Sequence, residues 1–241
     1  MAFMQNQVAL VVGASSGIGR ATAVLLARAG ARVMASARRE DRLKQLQGEM
    51  SAAGTPVEIF AADATKAADM EKLAQYTRQK LGEIDLMVYA SGTNTPDRAL
   101  NRLSPPVWDK LINVNLNGAY YATYALLPAM RERGSGHLIY IASISGIVPD
   151  VSGAAYQASK RGMIGLAHAI RVEEKEHGIR TCVICPGLVN TEILEFRPVK
   201  PPAEMLAKAL QPEDVAEAVL AVAKLPKRAV VPELQILPTY L

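Results

Sequence analysis

Apolar positions in this chain fall into short unbroken runs, separated by longer amphipathic stretches. Val8-Ala-Leu-Val-Val12 has no polar residue, which suits a strand covered on both faces. Residues 18–29 are rich in Ala and Leu with only Arg20 and Arg28 charged, and read as a closely packed helix. The alternation continues with strand at 32–36, helix at 40–52, strand at 57–61, helix at 67–81 and strand at 85–89. One long helix is expected over 106–133, then strand 138–142, helix 154–176 and strand 179–184. Behind Pro212, which suits a first helical position, Val215, Ala218, Val219 and Val222 recur on one helical face. Acids at Glu213, Asp214 and Glu217 and a base at Lys224 match that helix's dipole. Residues 230–231 and 234–237 are expected to close the chain as strand.

Such alternation, with no linker, repeat or low-complexity tract, predicts a single α/β domain over 1–241 with a mostly parallel sheet. The irregular stretches 93–105, 147–153 and 188–202 each follow a strand. They are therefore expected at the carboxyl edge, where open α/β sheets bind ligands. The last of them, within a substrate loop of about 188–208, is short and rich in proline, which points to a compact lid over small or medium-sized substrates.

Composition removes other classes. Two Cys among 241 residues cannot make a cystine framework. The opening Met1-Ala-Phe-Met-Gln-Asn-Gln7 lacks the basic and apolar regions of a signal peptide, and no apolar run reaches the ~18 residues a membrane span needs. A formal charge of +4, spread along the chain, argues against nucleic acid or membrane as a partner. A soluble cytoplasmic protein is the expectation.

The turn Gly13-Ala-Ser15-Ser16-Gly17-Ile18-Gly19 joins the first strand to the first helix. Gly13 suits a tight turn, Gly17 a close backbone approach to phosphate, and Gly19 a close helix–sheet contact. The helix start offers unpaired N–H groups to a pyrophosphate, which makes this a candidate dinucleotide cradle. At the end of the second strand, Ala37 stands where an acid would bond the ribose of NAD, and Arg38-Arg39 follow. Arg38 forking onto a 2′-phosphate, with Ser15 adding a hydroxyl, favours NADP(H) over NAD.

Tyr156 and Lys160 are four residues apart on a helix and so share a face. A cation beside the phenol stabilises phenolate and is expected to draw its pKa down from about 10. Tyr156 is then a candidate proton donor to a carbonyl or acceptor from an alcohol. Ser143, just past the 138–142 strand, adds a second polar group.

Gly13-x-x-x-Gly17-x-Gly19, Asn115 within Val-Asn-Leu-Asn-Gly, Ser143, Tyr156-x-x-x-Lys160 and Pro186-Gly187 resemble, in order and spacing, the short-chain dehydrogenase/reductases over about residues 5–225. The resemblance implies a Rossmann-type doubly wound, mostly parallel seven-stranded sheet with helices on both faces. It implies an NADP-dependent oxidoreductase moving a hydride between NADPH and a small carbonyl or alcohol substrate. Tyr156 would be the general acid/base, Ser143 would bond the substrate oxygen, and Lys160 would bind nicotinamide-ribose hydroxyls. Asn115 would hold a water linking Lys160 to solvent. Gly187, Val189 and Thr191, after Pro186, would cradle the nicotinamide amide. Asp63, with its neighbour Ala64, matches the family's adenine-contacting acid, and Gly92 would lie beside the adenine ribose. Helices 106–133 and 154–176 match the family's subunit contacts, implying a homodimer or homotetramer.

Two positions depart from the family pattern: Val12 replaces the common Thr, and Tyr89-Ala-Ser-Gly92 replaces Asn-Asn-Ala-Gly. The closing Val231-Pro-Glu-Leu-Gln-Ile-Leu-Pro238 lacks the Gly-Gly of ketoacyl-carrier-protein reductases, which weakens a 3-oxoacyl reductase alternative. A catalytically silent NADP sensor is a second alternative, opposed by the intact Ser143, Tyr156 and Lys160. Cys182 and Cys185 fall in a strand, so their thiols should face opposite sides as core filler. His137, His168 and His177 are too scattered for a metal site. Arg98, Arg102, Arg197 and Lys200 on the rim loops raise the idea of an anionic substrate, against the plainer reading of solvated loop charges.

Overall fold

The computed structural model describes residues 4–240. Positions 1–3 of the N-terminal stretch read for a leader, and position 241 of the expected domain, lie outside the described residues. Seven parallel strands, β1 (Val8–Val12), β2 (Arg32–Ala37), β3 (Glu58–Ala61), β4 (Leu86–Tyr89), β5 (Gly136–Ile141), β6 (Ile179–Pro186) and β7 (Glu233–Ile236), form one sheet in the order β3-β2-β1-β4-β5-β6-β7. The order reverses between β1 and β4, which makes their carboxyl ends the natural crevice of this doubly wound sheet.

The two strands at the switch point, β1 and β4, carry no charged residue and are buried along their whole length because both faces are covered. Ala9 and Val11 of β1 enter a core with Leu26 of α1 (Gly17–Arg28), Leu43 of α2 (Glu40–Ala52) and Val219 of α8 (Pro212–Ala223). Val8, Leu10 and Val12 enter a second core with Leu73 of α3 (Ala67–Leu81) and Leu126 of α5 (Gly118–Glu132). Met163 of α6 (Ala154–Glu173) joins that second core. The same period of two sends Cys182 to one core and Cys185 to the other, and burial raises both thiols to about 12. Neither is a reactive thiol.

Three element readings need correction. The chain at 230–231 is not strand; Pro232 has no N–H, so β7 begins after it, and its carbonyl accepts from Val183 N at 3.0 Å. Helix α6 stops at Glu173, and a tighter turn, Lys175–His177, leads to Gly178 at φ +66. The expected long helix over 106–133 is three pieces: α4 (Pro105–Ile112), a π-helical turn (Asn113–Asn117) and α5. The wider turn rotates Asn115 fully inward.

Tyr89 explains where that turn is pinned. Its side chain is fully buried and its hydroxyl donates to the Val114 carbonyl at 2.6 Å. Gly118, which opens α5, has no side chain because a Cβ would overlap the Tyr89 hydroxyl and sit 2.9 Å from the Ala64 carbonyl oxygen. The departure from Asn at position 89 thus brings its own support. Tyr89→Phe would leave a buried carbonyl without a donor and is expected to lower unfolding free energy by about 1–3 kcal/mol in urea titration. An unchanged midpoint would mean that the π turn holds without the phenol.

Candidate active site

The carboxyl ends of the strands open into one cleft of about 890 Å³. Its floor at one end is the glycine turn. Gly13 has φ +97, and a Cβ there would come within 2.6 Å of Ser91 N, so the turn lies against the chain leaving β4. Gly19 underpins the turn from behind, with no room for a Cβ against the Gly13 carbonyl. Helix α1 begins with no side-chain cap at Ser16 and no acid in its first turn, leaving N–H groups for the cleft.

The caps are missing because both serine hydroxyls face Arg39. Ser15 Oγ accepts from Arg39 Nε at 3.1 Å and Nη2 at 3.0 Å, and Ser16 Oγ accepts from Nη2 at 2.6 Å. Arg39 Nη1 donates to Glu192 at 2.8 Å, and Arg42 donates to the other oxygen of the same carboxylate. Those two arginines hold the Glu192 carboxyl down at about 2. Of the two arginines after β2, it is Arg39 that engages the Ser15 and Ser16 hydroxyls. Arg38, exposed after buried Ala37 at the end of β2, also lines the cleft, and its charge acts on Asp63. Arg42 repeats the Arg39 face one turn into α2 and was legible by spacing. Glu192 lies 153 residues from Arg39 and carried no local signal.

Asp63 sits across the cleft from the turn. Burial would raise its carboxyl, but donation from Thr65 N at 3.0 Å and Thr65 Oγ1 at 2.8 Å, with the charges of Arg38 and Lys66, holds it below the usual range. Ala64, Pro186, Gly187, Val189 and Thr191 line the same cleft. Gly187 N donates to Ile236 O at 2.8 Å, and Val189 bridges Leu210, which sets the path of the loop after β6. Thr191 Cγ2 would lie 3.1 Å from a Cβ on Gly17, so the loop closes on the glycine turn.

At the other end stand Ser143, Tyr156 and Lys160. Ser143 Oγ caps a short turn by accepting from Ser145 N at 3.1 Å. Helix α6 carries Tyr156 and Lys160 on one face, with Lys160 Nζ 5.7 Å from the Tyr156 ring centroid. Lys160 Nζ also donates to Ile141 O at 2.9 Å, so the ammonium does not turn away. The expected depression of the phenol is not what the chain alone produces. Burial raises Tyr156 above its ordinary 10; Ser143, Arg197 and Arg98 pull it back, while Asp150 pushes it up. Burial also lowers Lys160 from 10.5 to about 8. A dry pocket penalises both charged forms.

Asn115 and Gly19 are the predicted site residues that do not line the cleft. Asn115 sits one layer behind, where Oδ1 accepts from Thr93 N at 2.8 Å and Nδ2 donates to Thr93 O at 3.1 Å and Ser159 Oγ at 3.0 Å. Gly92 stands over it, with a would-be Cβ 3.5 Å from Lys160 Nζ and 3.6 Å from Asn115 Oδ1. Of the rim cations, Arg98 and Arg197 line the cleft, Arg102 is exposed, and Lys200 pairs with Glu195. Among the described residues no group of His, Cys, Asp and Glu could hold a metal ion, and no helix is long and apolar enough to cross a membrane.

Residues 7–200 match the family model described as short chain dehydrogenase. An uncharacterized oxidoreductase of Staphylococcus aureus is 33% identical over 239 residues, 99% of this chain and 100% of that protein. An alcohol dehydrogenase from the archaeon Thermococcus sibiricus, complexed with 5-hydroxy-NADP, superposes with a TM-score of 0.87 at 30% identity, covering 98% of this chain and 97% of that one. The closed form of a serine dehydrogenase complexed with NADP+ superposes with a TM-score of 0.88 at 31% identity, covering 95% of this chain and 94% of that one.

Burial of Lys160 makes a pH prediction. Between pH 8 and 10.5 the unfolded chain keeps a proton that the folded Lys160 has shed, so folding strengthens as pH rises through that window. Relative to Lys160→Met, the wild type is expected to gain about 3 kcal/mol across it, read from paired urea titrations at both ends. A constant gap would mean that the buried ammonium titrates as it does in water.

Proposed function

The chain belongs to the short-chain dehydrogenase family of oxidoreductases, and on that premise we propose that it is an NADP-dependent reductase of carbonyls, or dehydrogenase of alcohols, with Tyr156 as general acid/base. The carrying observation is the convergence of Ser143, Tyr156 and Lys160 at one end of the cleft whose other end is the side-chain-free glycine turn.

The residues fit such a cofactor. An uncapped helix start suits a pyrophosphate, and two arginines with two serine hydroxyls, in place of an acid after β2, suit a 2′-phosphate. Glu192 supplies an anion to Arg39 and Arg42 in the free chain, and a 2′-phosphate would take over those donors. Both solved relatives named above carry NADP or a derivative of it.

When bound, reduced nicotinamide supplies the hydride. Tyr156 gives its proton to the substrate oxygen as that oxygen gains charge, and Ser143 donates a hydrogen bond to the same atom. Lys160 spends one N–H on Ile141 O and keeps two for ribose hydroxyls, close enough to steady the phenolate once the proton has left. Asn115 is a positioning residue, holding Thr93 and Ser159 and, as the family resemblance adds, a water that returns a proton through Lys160. We read the whole chain as one cytoplasmic domain and as a homo-oligomer, for α5 leaves Tyr120 and Tyr124 exposed and α6 leaves Val172 exposed.

Tyr156→Phe is expected to lose about 100-fold or more of its carbonyl reduction while NADPH fluorescence still reports binding. Retained activity would assign the proton to another group. Arg39→Ala is expected to weaken NADPH by about tenfold to a hundredfold and NADH little, with Arg38→Ala less affected. Equal losses for both cofactors would show that neither arginine reads the phosphate.

A further inference from the structure

The three rim loops interlock around one buried arginine. Arg98 is 9% exposed; its Nε donates to Thr95 O in its own loop at 3.1 Å, and its Nη2 to Phe196 O in the loop after β6 at 2.6 Å. From the third loop, Gly153 adopts φ +93, and a Cβ there would come within 2.6 Å of Arg98 Cβ. This packing fixes the guanidinium and, among the described residues, leaves Nη1 without a hydrogen bond. Arg197 follows Phe196 directly, so the bond to Phe196 O brings a second guanidinium to the same wall. Among the described residues Arg197 makes no side-chain hydrogen bond and no ion pair, and its charge acts on both Arg98 and Tyr156.

An internal counter-ion is not free to answer both arginines. Asp150 also lines this wall, but Oδ1 accepts from Ser152 N at 2.8 Å. Its Oδ2 accepts from Ser145 Oγ at 2.5 Å and Ser152 Oγ at 3.0 Å. Two guanidinium charges against one carboxylate leave one positive charge on this wall, besides the Lys160 ammonium on the other side of Tyr156, in a partly dry cleft where charge is poorly screened. Lys200 and Glu195 cancel one another at the surface, and exposed Arg102 does not line the cleft.

We propose that Arg98 and Arg197 bind a carboxylate of the substrate, so that the protein acts on oxo acids and hydroxy acids whose reacting carbon lies beside Tyr156. This rests on the oxidoreductase reading of the same cleft. A planar carboxylate matches the guanidinium fork, and its one negative charge answers the one that Asp150 leaves unmatched on the two arginines. The carboxylate takes no part in the redox change; it orients the carbonyl.

The test uses the isomeric oxopentanoates, each compared with its own amide and with the corresponding oxoalkyl phosphonate, under NADPH turnover. At least one acid is expected to exceed its amide by about tenfold to a hundredfold in kcat/KM, mainly through KM. Arg197→Gln should bring the acid down to the level of its amide measured in the same variant, and Arg197→Lys should restore part of the preference. Acid and amide reduced equally, with Arg197→Gln silent, would overturn the inference while leaving the oxidoreductase reading intact. A preference for the phosphonate would overturn the carboxylate assignment. Calorimetry of pentanoate and pentanamide on NADP+-loaded Tyr156→Phe gives a second readout, in which the acid alone should bind and Arg197→Gln should abolish it. Acid-selective binding without turnover of any carbonyl by the wild type would sustain the inference and overturn the proposed function. Absent binding and absent turnover would sink both.

Discussion

An ammonium taken out of water organises one half of this cleft. Lys160 is only 4% exposed and, among the described residues, has the Ile141 carbonyl as its single hydrogen-bond partner. A charge held that dry is destabilising by itself, which is why its pKa falls and why its remaining donors face the cleft. The phenol nearby feels the same dryness in the opposite direction. For each group alone, burial works against the charged form. Placed together, phenolate and ammonium stabilise one another, so proton loss from Tyr156 becomes tied to the charge on Lys160.

What holds that pair in register is a chain of buried polar contacts running back to β4. The Tyr89 hydroxyl fixes the Val114 carbonyl, the π turn around it aims Asn115 inward, and Asn115 joins Thr93 to Ser159 on α6. Ser159 in turn donates to the Tyr156 carbonyl at 2.8 Å. The links up to Ser159 are buried and the last is half-buried, so the network rigidifies the wall beneath Tyr156 and Lys160. Position 89 therefore bears on site geometry although it touches no part of the cleft's catalytic end.

The opposite end is governed by exposed charge. Arg39, Arg42 and Glu192 are each about half accessible, so their ion pairs are screened and individually weak. Weakness suits a contact that must yield to a phosphate. Because Glu192 stands next to Thr191 in the loop that closes on Gly17, occupancy of the arginines and the position of that loop share one set of contacts.

Strand and helix order, the glycine turn and the Tyr156–Lys160 face were legible because each depends on neighbours in the chain: apolar runs, a period of two or of 3.6 residues, and the missing side chains of glycine. Which of Arg38 and Arg39 would engage the Ser15 hydroxyl was not legible, because the last half-turn after β2 decides which side chain faces it. Nor was the π turn, since the apolar period runs through 106–133 unbroken and the pull on Val114 comes from Tyr89, 25 residues earlier. Among four rim cations, sequence offered no way to separate Arg98 and Arg197 from Arg102 and Lys200. Folding made that choice, by burying Arg98 under Gly153 and pairing Lys200 with Glu195 at the surface. Local spacing determines which face a side chain occupies; only the closed loops determine which charges lose their water, and the loss of water decides how strongly a charge acts.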